Sequence, residues 1–383
     1  MPRPAWLTRN VATLSGVSLL QDAASELLYP VLPIFLTVTL GAPAAVVGAV
    51  EGFAEAVAAV TKLVSGRAAD RRGRRPLIAV GYGLAAVGKL VVALAFGWPL
   101  VLLGRAVDRV GKGIRAAPRD ALLMVGAPAE ARGRVFGLHR TADTVGAVIG
   151  PAIGLALYEL LNHRIRPLLV VAVVPAVLSV LLVALVREGA RPAAPREALS
   201  LSALPPDVTR LAVLLATVAL VNFPDALLLL RAHELGLSAG AVIAAYLVYN
   251  AVYAAGAYPA GALSDRLPRH QVYAVGLVAF AVGYGGLGLA TQGWQVFVLL
   301  PAYGLFAACT DGVGKAWVAG LAPAHLQASA QGLFQALTGG AVLIAGLWAG
   351  LLWGQDGRLP LLVAGSLGVV GVLAVVRLAP RPG

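Results

Sequence analysis

The sequence predicts an all-α polytopic membrane protein, with about twelve transmembrane helices arranged as two six-helix bundles. Three observations carry that expectation. Hydrophobic residues make up 59% of the 383 and charged residues only 13%, against roughly 25% charged in an average soluble domain. Apolar runs of about 20 residues, the length that crosses a bilayer as helix, recur from end to end. The breaks between them are short, hold Gly, Pro or Arg, and are basic in alternation. A β-barrel would need alternating polarity over about 10 residues, and runs such as Leu168–Val186 do not alternate.

Windows of about 20 residues place helices at 11–38, 43–65, 76–97, 98–122, 134–161, 166–187, 209–231, 238–263, 271–291, 294–320, 326–353 and 359–378. The first run is too long for a signal peptide's apolar core and has no A-x-A cleavage site, so it is read as a retained helix. One long polar break, rich in Pro, Ala and charge, follows the sixth helix. The chain therefore divides into an N-terminal bundle (1–189), a cytoplasmic linker (190–208) and a C-terminal bundle (209–383).

The net charge of +12 is not a nucleic-acid footprint. Arginines occupy alternate loops: Arg3 and Arg9, the run from Arg67 to Arg75, Arg132 and Arg134, the linker, Arg266 and Arg269, Arg377 and Arg381. The opposite loops, near Gly41, Gly97, Gly236 and Gly293, hold almost none beyond Arg164, Arg166 and Arg358. That asymmetry puts both termini in the cytoplasm of a cell's inner membrane. The single cysteine, Cys309, excludes a disulfide framework and a thiolate metal site.

An internal repeat supports two parallel halves related by an axis along the membrane normal. Gly66-Arg-Ala-Ala-Asp70-Arg71-Arg-Gly73-Arg74-Arg75 follows the second helix, and Gly261-Ala-Leu-Ser-Asp265-Arg266-Leu-Pro268-Arg269 follows the eighth. The first copy resembles the major facilitator signature G-x-L-x-D-R-x-G-R-R, with Ala68 for the usual Leu; in the second, Pro268 replaces a Gly. The resemblance implies a cytoplasmic latch of Asp70, Arg71 and Arg74, echoed by Asp265 and Arg266. Gly146, Gly150, Pro151 and Gly154 look like the helix-five stretch of the family's antiporters, although Leu155 stands where a last Gly is usual. Small residues four apart also serve as a packing seam, and Pro151 permits a bend. The segments Asp22–Pro30, Glu51–Glu55, Asp108–Asp120 and Phe136–Asp143 resemble a prokaryotic subgroup of the family that includes nickel-resistance exporters.

Charges inside the spans are the functional candidates, because a lone charge near mid-bilayer costs at least about 2.5–3.5 kcal/mol. On the first helix Asp22 and Glu26 are four apart, with Ser25 and Tyr29 on the same face. On the second, Glu51 is expected near the outer surface and Lys62 snorkels inward, leaving Glu55 as the interior acid. The fourth helix carries Arg105, Asp108, Arg109 and Lys112 at mid-depth, and Arg115, Arg119 and Asp120 toward an inner gate, Arg105 to Arg119 spanning about 21 Å. Its excess positive charge calls for Asp22, Glu26, Glu55 and Asp143 as partners, and Arg109 is expected to pair with an acid of another helix of its bundle. On the fifth, His139 and Asp143 are four apart beside Arg140; the imidazole is either structural or a proton-exchanging group. The C-terminal half offers Asn222, Asp225, Arg231, Asn250 and several tyrosines, with Asp311 and Lys315 spaced to neutralise each other.

No phosphate-binding loop and no nucleophile–base motif is present, which excludes an ATP-driven pump and gives no support to an enzyme. The expectation is a secondary active transporter: proton-coupled efflux of a small solute by antiport, without a cofactor and as a monomer, its partners being solute, protons and the lipid bilayer. A divalent metal held by Asp22, Glu26 and His139, or an organic cation, is the favoured cargo; two Met and one Cys argue against Cu(I). A non-transporting receptor or scaffold, and a carrier of an anionic or neutral solute, remain the alternatives.

Overall fold

The computed structural model describes residues 6–72, 74–123, 132–188, 204–264, 266–323 and 326–379, with the side chains of 63–72, 117, 121, 132–134, 136, 137, 327 and 328 outside that description. Helices α1 (Arg9–Leu28), α2 (Ala44–Arg72), α3 (Arg74–Ala93), α4 (Trp98–Leu123), α5 (Arg132–Leu160), α6 (Ile165–Val171) and α7 (Val173–Val183) build the first half. The second half holds α8 (Pro206–Ala219), α9 (Asp225–Glu234), α10 (Ala239–Ser264), α11 (Arg269–Leu289), α12 (Val296–Leu321), α13 (Gln327–Leu351) and α14 (Arg358–Leu378). The described residues contain no β-strand.

Ten of the twelve expected spans are long and apolar enough to cross a membrane among the described residues. The other two depart for different physical reasons. The fourth, α4, is a continuous helix of 26 residues that carries too many charges. The seventh is interrupted, α8 ending at Ala219 and α9 starting at Asp225, where a single helix over 209–231 was expected. Pro224 lacks the N–H that would bond the Leu220 carbonyl, and its ring disfavours helix at Phe223. The freed carbonyls are taken up by side chains: Trp348 Nε1 donates to Leu220 O at 2.8 Å and Tyr284 Oη to Phe223 O at 2.7 Å. The sixth span is split at Ala172 for the same reason, since Pro175 cannot donate to Val171.

Two compact units form. One comprises residues 1–31 and 57–196, the other 32–56 and 197–383, so the first half of α2 packs with the C-terminal helices. There Gly52 and Gly350 admit close backbone approach: a Cβ at Gly350 would stand 2.7 Å from Ala45 Cα, and one at Gly52 2.9 Å from Leu343 Cα.

Within the first unit, glycines again decide which helices meet. A Cβ at Gly146 or Gly150 on α5 would lie 2.6 Å from the Leu19 or Ala23 carbonyl of α1. The glycine stretch that resembles an antiporter bend is thus the seam between α1 and α5, and α5 runs unbroken through Pro151. Gly88 and Gly104 similarly bring α3 against α4, a Cβ at Gly104 standing 2.7 Å from Gly88 O. Val11, Leu14, Tyr82, Leu122 and Val183 close the core beneath these seams.

Candidate functional site

The charges of α4 are inside the first unit. Arg105, Asp108, Arg109 and Arg115 are 2%, 4%, 9% and 6% exposed. Asp108 is their focus: Lys89 Nζ of α3 donates to Asp108 Oδ1 at 2.8 Å, with Arg105 Nη1 at 3.8 Å and Arg109 Nη1 at 4.0 Å from Oδ2. The Lys89 contact spans the α3–α4 glycine seam, where a Cβ at Gly88 would stand 2.9 Å from Asp108 Cβ. Arg109 therefore has Asp108 of its own helix within ion-pair reach, and the interhelical partner of Asp108 is a lysine absent from the sequence-based candidates. The signal existed: Lys89 is a lone charge in an apolar span, to which the cost of burial applies as it does to arginine.

Toward its C-terminal end α4 is held by aromatic and polar contacts. The Arg115 guanidinium lies 4.4 Å from the Tyr82 ring centroid and donates to Gly81 O at 3.4 Å. Nearer the start of the helix, Arg105 stands 5.8 Å from the Tyr29 ring. Arg119 bridges neighbours, its Nη2 3.1 Å from Asp120 Oδ1 and its Nη1 donating to Ser18 Oγ at 3.2 Å. Ser18 Oγ is 3.5 Å from His139 Nε2, which in turn is 3.8 Å from Asp143 Oδ1, and Arg140 Nη1 is 3.8 Å from Asp143 Oδ2. A line of polar contacts thus runs from α4 through α1 to α5, with Ser18 as the joint that sequence spacing did not single out.

Asp22 and Glu26 flank the α1–α5 seam, their Cβ atoms 3.2 and 3.1 Å from where Cβ atoms at Gly146 and Gly150 would be. Among the described residues no group of three or more His, Cys, Asp and Glu is arranged to hold a metal ion. The set Asp22, Glu26 and His139, expected as metal ligands, is accordingly not assembled: the acids lie along the glycine seam while the imidazole is engaged with Ser18 and Asp143. Lys112 is half-buried on α4 and Gly154 continues the seam, a Cβ there lying 3.3 Å from Leu27 O. On α2, Glu55 is half-buried, and Glu51, expected near the surface, is 1% exposed.

The latch is described only in part. The side chains of Asp70 and Arg71, and all of Asp265, lie outside the described residues; Arg266 is exposed. The Glu188 carboxylate accepts from the backbone N–H groups of Arg74 and Arg75 at 3.0 and 2.9 Å, capping the start of α3. Asn10 ties the same region together, donating to Leu122 O and Arg187 O and accepting from Arg187 N.

In the second unit the interrupted seventh span is lined by tyrosines. Asp225 accepts from Tyr303 Oη at 2.8 Å and Tyr249 Oη at 3.2 Å, and Asn222 from Tyr284 Oη at 3.1 Å. The Tyr249 and Tyr303 rings stack at 5.5 Å. Arg231 is structural: 4% exposed, it donates to Leu287 O, Ala290 O and Asp356 O, tying α9 to the end of α11 and the start of α14. Asp311 and Lys315 share one face of α12 but do not pair, for Asp311 Oδ2 accepts instead from Tyr253 Oη at 3.1 Å. Both line a cavity of about 190 Å³ with Asn222, Phe280, Phe306 and Phe334.

The model of the Major Facilitator Superfamily matches residues 14–223 and again 211–383, one match to each half. The chain belongs to that superfamily. It is a multi-pass membrane transporter of small-molecule substrates, and the superfamily's members are not enzymes. The chain is 28% identical over 379 residues to an uncharacterized MFS-type transporter of Methanocaldococcus jannaschii, covering 97% of this chain and 95% of that one. It is 34% identical over 126 residues to the multidrug resistance protein MdtH of Photorhabdus laumondii, 33% of this chain and 31% of that. Among solved structures, the nucleoside transporter NupG matches with a TM-score of 0.76 at 15% identity, covering 98% of this chain and all (100%) of that one. The xylose transporter XylE from E. coli matches at 0.74 and 16%, covering 98% of each chain. These likenesses establish the fold.

Proposed function

We propose that this transporter is a proton-coupled exporter that moves an amine-bearing organic cation out of the cell in exchange for protons, with both termini in the cytoplasm. The observation that carries the reading is the polar line from Arg119 through Ser18 and His139 to Asp143, adjoining Asp22 and Glu26 along the α1–α5 seam. Buried carboxylates beside an imidazole accept either a proton or a cation. If a proton and a cationic solute compete for the same carboxylates, each weakens the other's binding by the same factor, so inward proton flow drives solute release outward. Asp143 is the exchange group in this reading, His139 passes the proton, and Arg119 and Arg140 keep the line from collecting excess negative charge. The similarity of one third of the chain to a multidrug resistance protein agrees with an organic cargo. The resemblance to nickel-resistance exporters is not carried over to a metal substrate, for want of an assembled donor set among the described residues.

A second reading has its own observation: three cations, Lys89, Arg105 and Arg109, gather on Asp108, an arrangement suited to an anionic solute. One assay separates the two. Purified protein in liposomes with an imposed pH gradient is offered a panel of organic cations, organic anions and Ni²⁺. We expect counterflow of protons with an organic cation, lost in Asp143→Asn and His139→Gln. Counterflow with anions alone would select the second reading, and no solute-dependent proton movement with any member of the panel would refute proton-coupled export.

A further inference from the structure

The cavity of the second unit has a chemistry that the proton line does not use. Its walls are aromatic, Phe280 and Phe306 meeting at 5.0 Å between centroids and Phe334 facing the same space. Its volume, about 190 Å³, exceeds the roughly 150 Å³ that suffices to hold benzene. One end is polar through Asn222, which the break in the seventh span places there. Along another wall stand Asp311 and Lys315, one helical turn apart and both exposed to the open volume.

An acid and a base four residues apart on a helix are close enough to form an ion pair. Here they do not. Tyr253 on α10 holds the Asp311 carboxylate at 3.1 Å, and α10 can reach it because Gly304 lets α12 approach, a Cβ there standing 2.9 Å from Tyr249 O. Among the described residues Lys315 Nζ has neither hydrogen bond nor ion pair, and its contact with Gln331 is made through the backbone carbonyl. One wall of an aromatic cavity thus presents a negative and a positive group about 6 Å apart along the helix that do not pair with each other.

We propose that this cavity binds an amphiphilic zwitterion: an aromatic or similarly bulky apolar body, an ammonium set against Asp311 and an acidic group set against Lys315. The inference rests on the reading of an amine-bearing cargo and amends it: the solute is cationic at its amine and carries a balancing acid as well.

The test measures binding to the purified full chain by calorimetry with three matched probes: phenylalanine, its decarboxylated amine phenethylamine, and its deaminated acid 3-phenylpropionate. Each charge-assisted hydrogen bond to the probe should be worth about tenfold, so phenylalanine binds at least about tenfold more tightly than either single-charge probe. Lys315→Gln erases the preference over phenethylamine, Asp311→Asn erases the preference over phenylpropionate, and Lys315→Arg retains both. Unfolding temperatures confirm that the variants are folded. Equal binding of the three probes, no binding of any, or preferences unchanged in folded Lys315→Gln and Asp311→Asn would overturn the assignment. Coupled efflux of an organic cation alongside equal probe binding would sink the cavity site and leave the exporter reading standing. Charge-dependent probe binding without coupled flux would do the reverse.

Discussion

Asp108 offers the sharpest test of how the first unit is held together, because its three cations can be weighed by distance. At equal dielectric, attraction falls as the inverse of separation, and Lys89 at 2.8 Å supplies about two-fifths of the pull on Asp108, Arg105 at 3.8 Å and Arg109 at 4.0 Å the rest. Lys89→Met therefore leaves most of that attraction in place and removes an ammonium that was costly to bury. We expect a loss of about 1–2 kcal/mol, near that of one charged hydrogen bond. Asp108→Asn is different in kind. It strips three buried cations of the carboxylate they share, and removing one partner of a buried ionic set costs about 3–5 kcal/mol. The double variant should be milder than Asp108→Asn alone, since one uncompensated ammonium goes with it. The assay is the temperature at which half of the detergent-solubilised protein remains monodisperse on size exclusion. The expected order, from most to least stable, is wild type, Lys89→Met, the double variant, Asp108→Asn. If Lys89→Met were as damaging as Asp108→Asn, the lysine would be the sole effective partner and the shared-carboxylate argument would fail.

The same assay checks three further expectations, and a transport measurement a fourth. Trp348→Phe leaves the Leu220 carbonyl without its 2.8 Å donor and should cost about 1–3 kcal/mol, whereas Trp348 replaced in a protein with Pro224→Ala should matter less if the helix closes over the break. Gly150→Ala drives a methyl to 2.6 Å from Ala23 O and should cost about 1–3 kcal/mol; a neutral result would mean that α1 and α5 can part freely. Arg231→Gln loses donors to Leu287 O, Ala290 O and Asp356 O and should cost at least about 3 kcal/mol while leaving Asp225 in contact with its tyrosines; a variant of wild-type stability would refute its structural role. Ser18→Ala should slow proton counterflow by severing Arg119 from His139 while solute binding persists; unchanged counterflow would remove Ser18 from the line.

Much of the architecture was legible in residue order. Span length and hydropathy are local properties, so Arg358–Leu378 or Arg74–Ala93 could be placed by counting apolar residues, and the charge on α4 was visible as an exception to the same count. The break in the seventh span was also written locally, in Pro224, but a proline need not interrupt a transmembrane helix, as Pro151 does not in α5, and the outcome depends on what satisfies the freed carbonyls. Trp348 and Tyr284 are 128 and 61 residues distant from the carbonyls they serve, so no local pattern joins them.

The site divides along the same line. Residue order alone determined that Asp22, Glu26, His139 and Asp143 fall on faces four residues apart, that α4 is a charged helix in an apolar chain, and that two homologous halves recur. Tertiary structure alone decided the partners. Gly88 and Gly104 let α3 carry Lys89 onto Asp108, Gly146 and Gly150 seat α1 against α5 so that Ser18 meets His139, and Asp311 takes Tyr253 rather than Lys315 as its partner. The physical reason is range. Hydropathy and helix period are properties of neighbouring residues, whereas an ion pair or a buried hydrogen bond acts over about 3 Å of space between groups far apart in sequence, and here glycines set where two backbones close to that distance.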